Sequence, residues 1–430
     1  MISKASFIDI KMDFKFPQNA KVIRPNKISA LDNTSERLRY LLRNPIGARP
    51  LREIVKKNNS IAIVICDKTR SIRSNEMLSV ILDELTYVNE GNISIVVATG
   101  THKPNTPEEL GLSKNIIEKV PVYNHDSKDS KNLVSIGFTS PKINRFSNRK
   151  RLKEDLEEIS SLANSEAKAK FLTKEEMSSP NEVKINKIVA EADVKILLGN
   201  ISPHYFAGFS GGIKSLIPGV ANKEYIIRNH FLKAHPSSRL GVLNGNIVRE
   251  DLEEASKLCR NLFCVNAVLN EEGKAIEVVA GDSVLAHRQG VDACKKMACV
   301  KAHCSDIVIA FDKYPVNINV KQVKKVVAAA ARVAKPNGVI IVLGRCEEGL
   351  GSHSKVNNFI YKCHLRNIMP SNVSLILVSD VPEDEIKSTG FFEPMCSLDE
   401  ALRFGYDKLS KNVSISILPY GSLVIPVIVD

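Results

Sequence analysis

The chain is patterned as short, almost wholly apolar runs rich in β-branched residues, separated by longer amphipathic stretches. IAIVIC (61–66), ISIVVAT (93–99), VKILLG (194–199), DIVIAF (306–311), VIIVLG (339–344) and SLILVS (374–379) lack the regular polar alternation of a half-exposed strand. Such runs predict strands covered on both faces, as in a parallel sheet flanked by helices. NEMLSVILDELTYV (75–88) and VKQVKKVVAAAARVA (320–334) carry apolar residues at helical spacing. KPNG (335–338) follows the second with stop signals. Alternating strand and helix predicts an α/β protein: two α/β domains with mainly parallel sheets and a cleft between them. SVLAHRQGVDACKKMACV (283–300) reads as a helix at the boundary. The expected domains are therefore 1–290 and 291–430. The last ~15 residues, within SISILPYGSLVIPVIVD (414–430), have a punctuated β pattern and can return to either domain. Residues 140–181 are polar, charged and bounded by prolines, and read as an insertion with one or two exposed helices.

Composition narrows the class. Of 430 residues, 43% are hydrophobic and 25% charged, values of an ordinary globular protein. No apolar run approaches the ~20 residues of a membrane helix. The N-terminus, MISKASFIDIKMDFKFPQ, alternates like a strand through Asp9, Lys11, Asp13 and Lys15 and has no continuous apolar signal core, so a cytoplasmic protein is expected. The net charge of +12 suits an anionic ligand. Its densest run, NRKRLKEDLEE (148–158), follows its bases with acids, which disfavours a nucleic-acid face. Cys294, Cys299 and Cys304 recur every five residues, wider than zinc-ligand pairs, and read as reduced core residues.

In open α/β sheets ligands bind beyond the carboxyl ends of strands. Here those ends carry Asp67, Thr69 and Arg70 (DKTRS), His102 (GTHKP) and His204 (GNISPHYFAGFSGG). Histidine suits proton transfer near neutral pH, and arginine suits a carboxylate or phosphate. The loop HYFAGFSGGIKSLIPG (204–219) resembles a phosphate cradle but is not one, because Ile213 separates Gly212 from Lys214. Its glycines imply close backbone approach to a flat or anionic ligand. Lys214 is either a nucleophile or tether with a lowered pKa, or a lysine that reaches solvent. Gln322 and Lys325 share a helix face and could hold an anion; Lys321 and Lys324 alongside favour a solvated basic face.

These residues resemble the lactate racemase family, enzymes of the nickel-pincer nucleotide. The resemblance lies in DKTR (67–70), ATGTHKP (98–104), NHD (124–126), PHYFAGFSGGIKSLIPG (203–219), NGNIVRED (244–251), YPVNINVKQVKK (314–325) and EEGLGS (347–352). It implies a two-domain α/β fold and racemisation or epimerisation of a 2-hydroxy acid through reversible hydride transfer. It implies that Lys214 carries the cofactor through a thioamide, with Asp67, Thr69, Gly211 and Gly212 around it. His230 would ligate nickel, whose other donors come from the cofactor, a set suited to square-planar geometry. His102 and His204 would be the acid and base, and Arg70, Gln322 and Lys325 would hold substrate. Cofactor-biosynthesis enzymes are the implied partners. Ser71 stands where the family commonly has proline, Asn317 where it has aspartate and Lys321 where it has an aromatic residue, and the chain has no tryptophan. The substrate is therefore expected to be a lactate-like or larger 2-hydroxy acid, with a sugar substrate, or nucleotide or carboxylate binding without turnover, as the alternatives.

Overall fold

Two six-stranded sheets hold the apolar runs in this computed structural model, which describes residues 16–70, 74–146, 154–155, 157–159, 161–162, 174–351, 354–409 and 412–429. The strand expected within 1–15 and the departure at Ser71 lie outside the described residues. In the first sheet the order is Ala275–Gly281, Leu262–Leu269, Val194–Asn200, Ile61–Cys66, Ile93–Ala98 and Val122–Asn124. All neighbours are parallel except the first pair. The second sheet is parallel throughout, in the order Lys21–Val22, Ile415–Leu418, Ser305–Phe311, Ala334–Leu343, Ser374–Val378 and Glu393–Met395.

The apolar runs are buried on both faces because each face has its own core. Ile61, Ile63 and Ile65 pack with Leu38, Leu42, Met77 and Ile81. Ala62 and Val64 point the other way, into a cluster with Ile185, Ile217 and Tyr225. This is the two-residue period of a strand with helices or loops above and below. From Ile61–Cys66 the sheet continues to Ile93–Ala98 on one side and to Val194–Asn200 on the other. The switch in winding direction thus falls between strands ending near Asp67 and Asn200, where open α/β sheets form crevices.

Several elements depart from the apolar pattern. Lys21–Val22 pairs with Ile415–Leu418, so an early segment joins the second sheet. Within the tail, Ile425–Ile428 pairs with Cys299–Ala302. Strands of two to four residues are too short to show a period. The helix Val320–Val333 runs directly into Ala334–Leu343, so KPNG lies within the strand's first residues rather than in a separate turn. In the 140–181 segment Glu154, Glu157 and Glu158 are helical and exposed, while other described residues face the core. Ile143, Ile159 and Met177 are buried, and Asp155 pairs with Arg366 at 2.6 Å. These apolar residues are too widely spaced to reveal a buried face. The nine cysteines are free, and Cys294 is a core residue. Among the described residues no helix is long and apolar enough to cross a membrane.

Beyond Asn200 the chain makes a tight hairpin, Pro203–His204 with Gly208–Phe209, then a single turn, Gly212–Ser215, and later the helix Lys223–Phe231. Gly211 and Gly212 have φ of +74° and +60°. A Cβ on Gly211 would lie 2.6 Å from Asn266 Oδ1, and one on Gly212 would lie 2.8 Å from the His287 ring. A side chain at either position would thus overlap the protein itself, while the backbone of Gly211 lines the cavity described below. The His287 ring is fixed in turn by a 2.9 Å hydrogen bond from Nε2 to the Ser210 carbonyl. Gly212→Ala should destabilise the chain by more than ~1 kcal/mol, because it adds positive-φ strain to overlap with a fixed ring. A urea midpoint equal to the parent's would contradict this packing.

Candidate active site

A cavity of about 440 Å³ opens at the carboxyl ends of the first sheet, against the helices Val320–Val333 and Lys355–Ile368. Strand ends bring Asp67, Arg70 and His102 to its wall. The glycine loop adds His204, Gly211 and Lys214, and the following helix adds His230. Gln322 and Lys325 come from the first turns of Val320–Val333. Nine of the eleven residues singled out in the sequence therefore share one cavity. Thr69 and Gly212 stand behind it: Thr69 donates to Asp67, and the Gly212 N–H donates to Asn266 Oδ1 at 2.9 Å.

Asp67 and His102 form the central pair. His102 Nδ1 lies 2.5 Å from Asp67 Oδ2, and Asp67 Oδ1 accepts the Thr69 hydroxyl at 2.7 Å. Burial alone would raise the Asp67 carboxyl, but the hydrogen bond and charge of His102, with Arg70 and Thr69, bring it below its ordinary value. Burial also lowers His102, against the pull of Asp67. The carboxylate accepts at Nδ1, so a neutral His102 carries its proton there and keeps a lone pair on Nε2.

The loop carrying His102 is tied to the end of the glycine loop. Gly100 N–H donates to Gly219 O at 2.9 Å, and Thr99 Oγ1 donates to His125 O at 2.5 Å. His125 Nε2 in turn bonds the Ala221 carbonyl at 2.9 Å. The NHD motif thus braces the cavity without lining it.

His204 has the opposite arrangement. Its Nδ1 accepts the Ala207 N–H at 3.2 Å, which leaves the proton of the neutral ring on Nε2. The ring is stacked on Tyr205 and meets Phe206 edge-on. Burial, then Lys214, Arg70 and Lys325, hold it well below its ordinary pKa.

Among the described residues the Lys214 amine has no hydrogen-bond or ion-pair partner; Nζ lies 5.7 Å from the Phe206 ring centre. Burial, with Arg249 and Arg70 nearby, pushes it far below 10.5. His230 meets the same Phe206 ring edge-on, and its Nδ1 is buried. Among the described residues no group of three or more His, Cys, Asp or Glu could hold a metal. A metal on His230 would therefore take its remaining donors from a ligand.

The solvated-face reading of Val320–Val333 is corrected. Lys324 is 9% exposed, with Nζ 4.5 Å from the Tyr361 ring centre and 4.3 Å from that of Phe391. Gln322 is buried, and its Oε1 has no partner. Asn319 caps the helix through the Gln322 N–H at 3.0 Å. Lys233, Tyr205 and Tyr361 also line the cavity and were not singled out. For Lys324 a signal existed: the helix is apolar at most other positions. Lys233 follows a helix end and carries no such signal.

Comparison with known proteins places this geometry. The model of the lactate racemase N-terminal domain matches residues 7–157 and 147–241, and that of the C-terminal domain matches 300–373. The chain is 29% identical to the lactate racemase of Thermoanaerobacterium thermosaccharolyticum over 96% of both chains. It is 28% identical to that of Lactiplantibacillus plantarum over 93% of this chain and 92% of the relative. The solved lactate racemase apoprotein of T. thermosaccharolyticum superposes with a TM-score of 0.77 at 27% identity, covering 96% of this chain and 97% of the other. A Thermotoga maritima protein shares the fold, with a TM-score of 0.66 at 17% identity, over 94% of this chain and all of the other. With these domain matches in their expected order along one α/β chain, the protein belongs to the lactate racemase family.

Proposed function

We propose that the chain racemises or epimerises a 2-hydroxy acid with a nickel-pincer nucleotide carried on Lys214. The observation that carries this reading is the half-buried Lys214 amine, without a hydrogen-bond or ion-pair partner among the described residues, in the same cavity as two histidines of opposite hydrogen-bonding state. The residues fit such a group. A neutral amine can form a covalent bond to an acyl carbon. His230 offers one nitrogen donor, and since it belongs to no group of three or more His, Cys, Asp or Glu among the described residues, a metal held there would draw its other ligands from the cofactor. When bound, that group would supply reversible acceptance of a hydride.

The chain's own residues account for the rest. Arg70 and Lys325 hold the substrate carboxylate, and the Gln322 side chain offers the amide that fixes its orientation. His102, with its Nε2 lone pair, takes the hydroxyl proton, and Asp67 stabilises the imidazolium formed. His204 presents Nε2–H to an oxygen on the other side. Segment 1–290 serves as the cofactor-bearing half, and 291–430 brings Gln322 and Lys325 over the substrate and excludes water. The reading goes with a cytoplasmic protein loaded by cofactor-biosynthesis enzymes.

In cells making the cofactor, Lys214→Ala should lack the mass increment that the parent shows on intact protein; an unchanged increment would remove Lys214 from this role. His102→Ala and His204→Ala should each slow loss of optical purity in the true substrate by about 10²–10⁴-fold. Asp67→Asn should fall in the same range, because an amide that donates to Nδ1 moves the proton to Nε2. Full activity in all three variants would sink the acid–base scheme. Burial disfavours the His102 imidazolium, so the neutral base persists below its ordinary 6.5 and the acid limb of kcat/KM should lie below that pH. An acid limb above pH 7 would contradict the assignment of His102 as base.

A further inference from the structure

A second cavity, of about 110 Å³, lies across the wall that carries the substrate-holding groups. Arg70, Asn200, His204 and Lys325 line both spaces. The rest of the smaller one comes from both halves of the chain. Leu269 and Asn270 stand at the end of the strand Leu262–Leu269, and Asp312 and Tyr314 follow the strand Ser305–Phe311. None of these four lines the first cavity. The volume admits several water-sized groups. The acid–base scheme makes no use of it.

Its polar lining offers acceptors that the protein leaves open. Asn200 is 8% exposed, and its Oδ1 is buried with no hydrogen-bond partner among the described residues. Buried side-chain polar atoms are satisfied in most native structures, so an open one calls for a partner that the fold does not supply. Asp312 is also buried. Its Oδ1 accepts the Lys313 N–H at 2.8 Å and its Oδ2 the Ser422 N–H at 2.9 Å. A carboxylate has sites for about four hydrogen bonds, so acceptor capacity remains. The donors around them already act within the protein. The Ser202 and Ser210 hydroxyls bond each other at 2.8 Å, and the Lys313 ammonium donates to the Glu271 carbonyl. Asp312 and Lys325 feel each other's charge, which sets these acceptors beside a group that holds the substrate carboxylate in the scheme above.

We propose that this second cavity takes the carbon chain of the substrate, and that Asn200 and Asp312 select a 2-hydroxy acid whose chain bears a further hydroxyl group. That hydroxyl donates to Asn200 Oδ1 or to the Asp312 carboxylate, while Arg70 and Lys325 keep the acid end. A methyl end leaves both acceptors open, and a second carboxylate is repelled by Asp312. The cavity and its open acceptors are features of the fold; their assignment to a substrate chain rests on the racemase reading.

The first test measures binding to the full chain prepared without cofactor. Calorimetry compares acids that differ only at the far end: 2-hydroxybutanoate, 2,4-dihydroxybutanoate and 2-hydroxybutanedioate. A longer series, 2-hydroxypentanoate, 2,5-dihydroxypentanoate and 2-hydroxypentanedioate, extends the reach. In at least one series the dihydroxy acid should bind about fivefold or more tighter than the other two, the range for a net hydrogen bond. Asn200→Leu should lower its advantage over the methyl-ended acid by about fivefold. Asp312→Asn, which keeps an acceptor and removes the charge, should lower its advantage over the diacid by about as much. Removing an unsatisfied amide should leave the thermal midpoint of Asn200→Leu no lower than the parent's, whereas loss of a merely structural amide would lower it. Asp312→Asn keeps the test open if Asn200→Leu does not fold. No binding by the parent, equal binding within both series, tightest binding of a diacid, or ratios unchanged in both variants overturns the proposal.

Loaded protein separates this inference from the racemase reading. With both correct, the ratio of kcat/KM for the dihydroxy acid over its methyl-ended partner follows the binding ratio, and Asn200→Leu lowers it by about fivefold. Binding that prefers the dihydroxy acid through Asn200, in a loaded protein that leaves the optical purity of every hydroxy acid intact, would uphold the cavity and remove the racemase reading. Racemisation at equal kcat/KM across each series, with binding indifferent to the far end, would uphold the racemase reading and remove the role given to the second cavity.

Discussion

A half-buried amine with no carboxylate beside it among the described residues is the arrangement on which this site depends. At Lys214, burial and the nearby Arg249 and Arg70 favour the neutral, nucleophilic form of the side chain. Such a group persists only if its surroundings cannot relax to solvate it. The loop that carries it is fixed from several directions. Asn266, on a central strand, accepts the Gly212 N–H, and His287 holds the Ser210 carbonyl. The Gly211 and Gly212 positions admit no side chain. These anchors sit on a sheet whose strands are buried on both faces, so the stability that offsets the unpaired amine comes from the cores around Ile63 and Val64.

The same positive field sets the histidines. Lys214, Arg70 and Lys325 all disfavour an imidazolium at His204, and the Ala207 N–H occupies the nitrogen that would otherwise take up the second proton. At His102 the one carboxylate of the cavity wall opposes the field. Asp67 therefore does more than orient a ring: it makes the two histidines unequal, since Nδ1 of His102 faces a carboxylate and Nδ1 of His204 accepts a backbone N–H, the difference on which the proposed acid–base scheme rests. A single negative charge among many positive ones gives the site its direction.

Much of this was legible because chemistry in α/β sheets collects at strand ends, and apolar runs mark where strands end. Asp67, His102 and His204 follow directly from that rule. Lys214 and His230 followed from resemblance, since a lysine in an apolar loop has two readings until its burial is known. The lysines of Val320–Val333 were misread for a related reason. Lys321 and Lys324 look like a basic face when only sequence neighbours are considered, and the rings that cover Lys324 come from residues 361 and 391. Burial by distant segments leaves no local pattern. The same holds for Lys21–Val22, whose partner strand lies nearly four hundred residues away, and for Ile159 within a charged stretch.

The division of labour between the two sheets carries a consequence for binding. The first sheet and its loops supply Lys214, His102, His204 and Arg70; the second supplies Gln322 and Lys325 from a helix whose N-terminal end faces the cavity. That helix end adds a partial positive charge to the lysines in its first turns. Its position is fixed by the Asn319 cap, and Asp312 at the end of the adjoining strand accepts the Ser422 N–H at 2.9 Å. Two cationic surfaces facing each other repel, the more strongly as water between them is lost. An anionic ligand reverses the sign of that interaction because it attracts both. On the proposed reading, binding energy in this cavity would draw its two walls together in proportion to the negative charge the ligand brings, and a neutral analogue of the same shape would gain little from them.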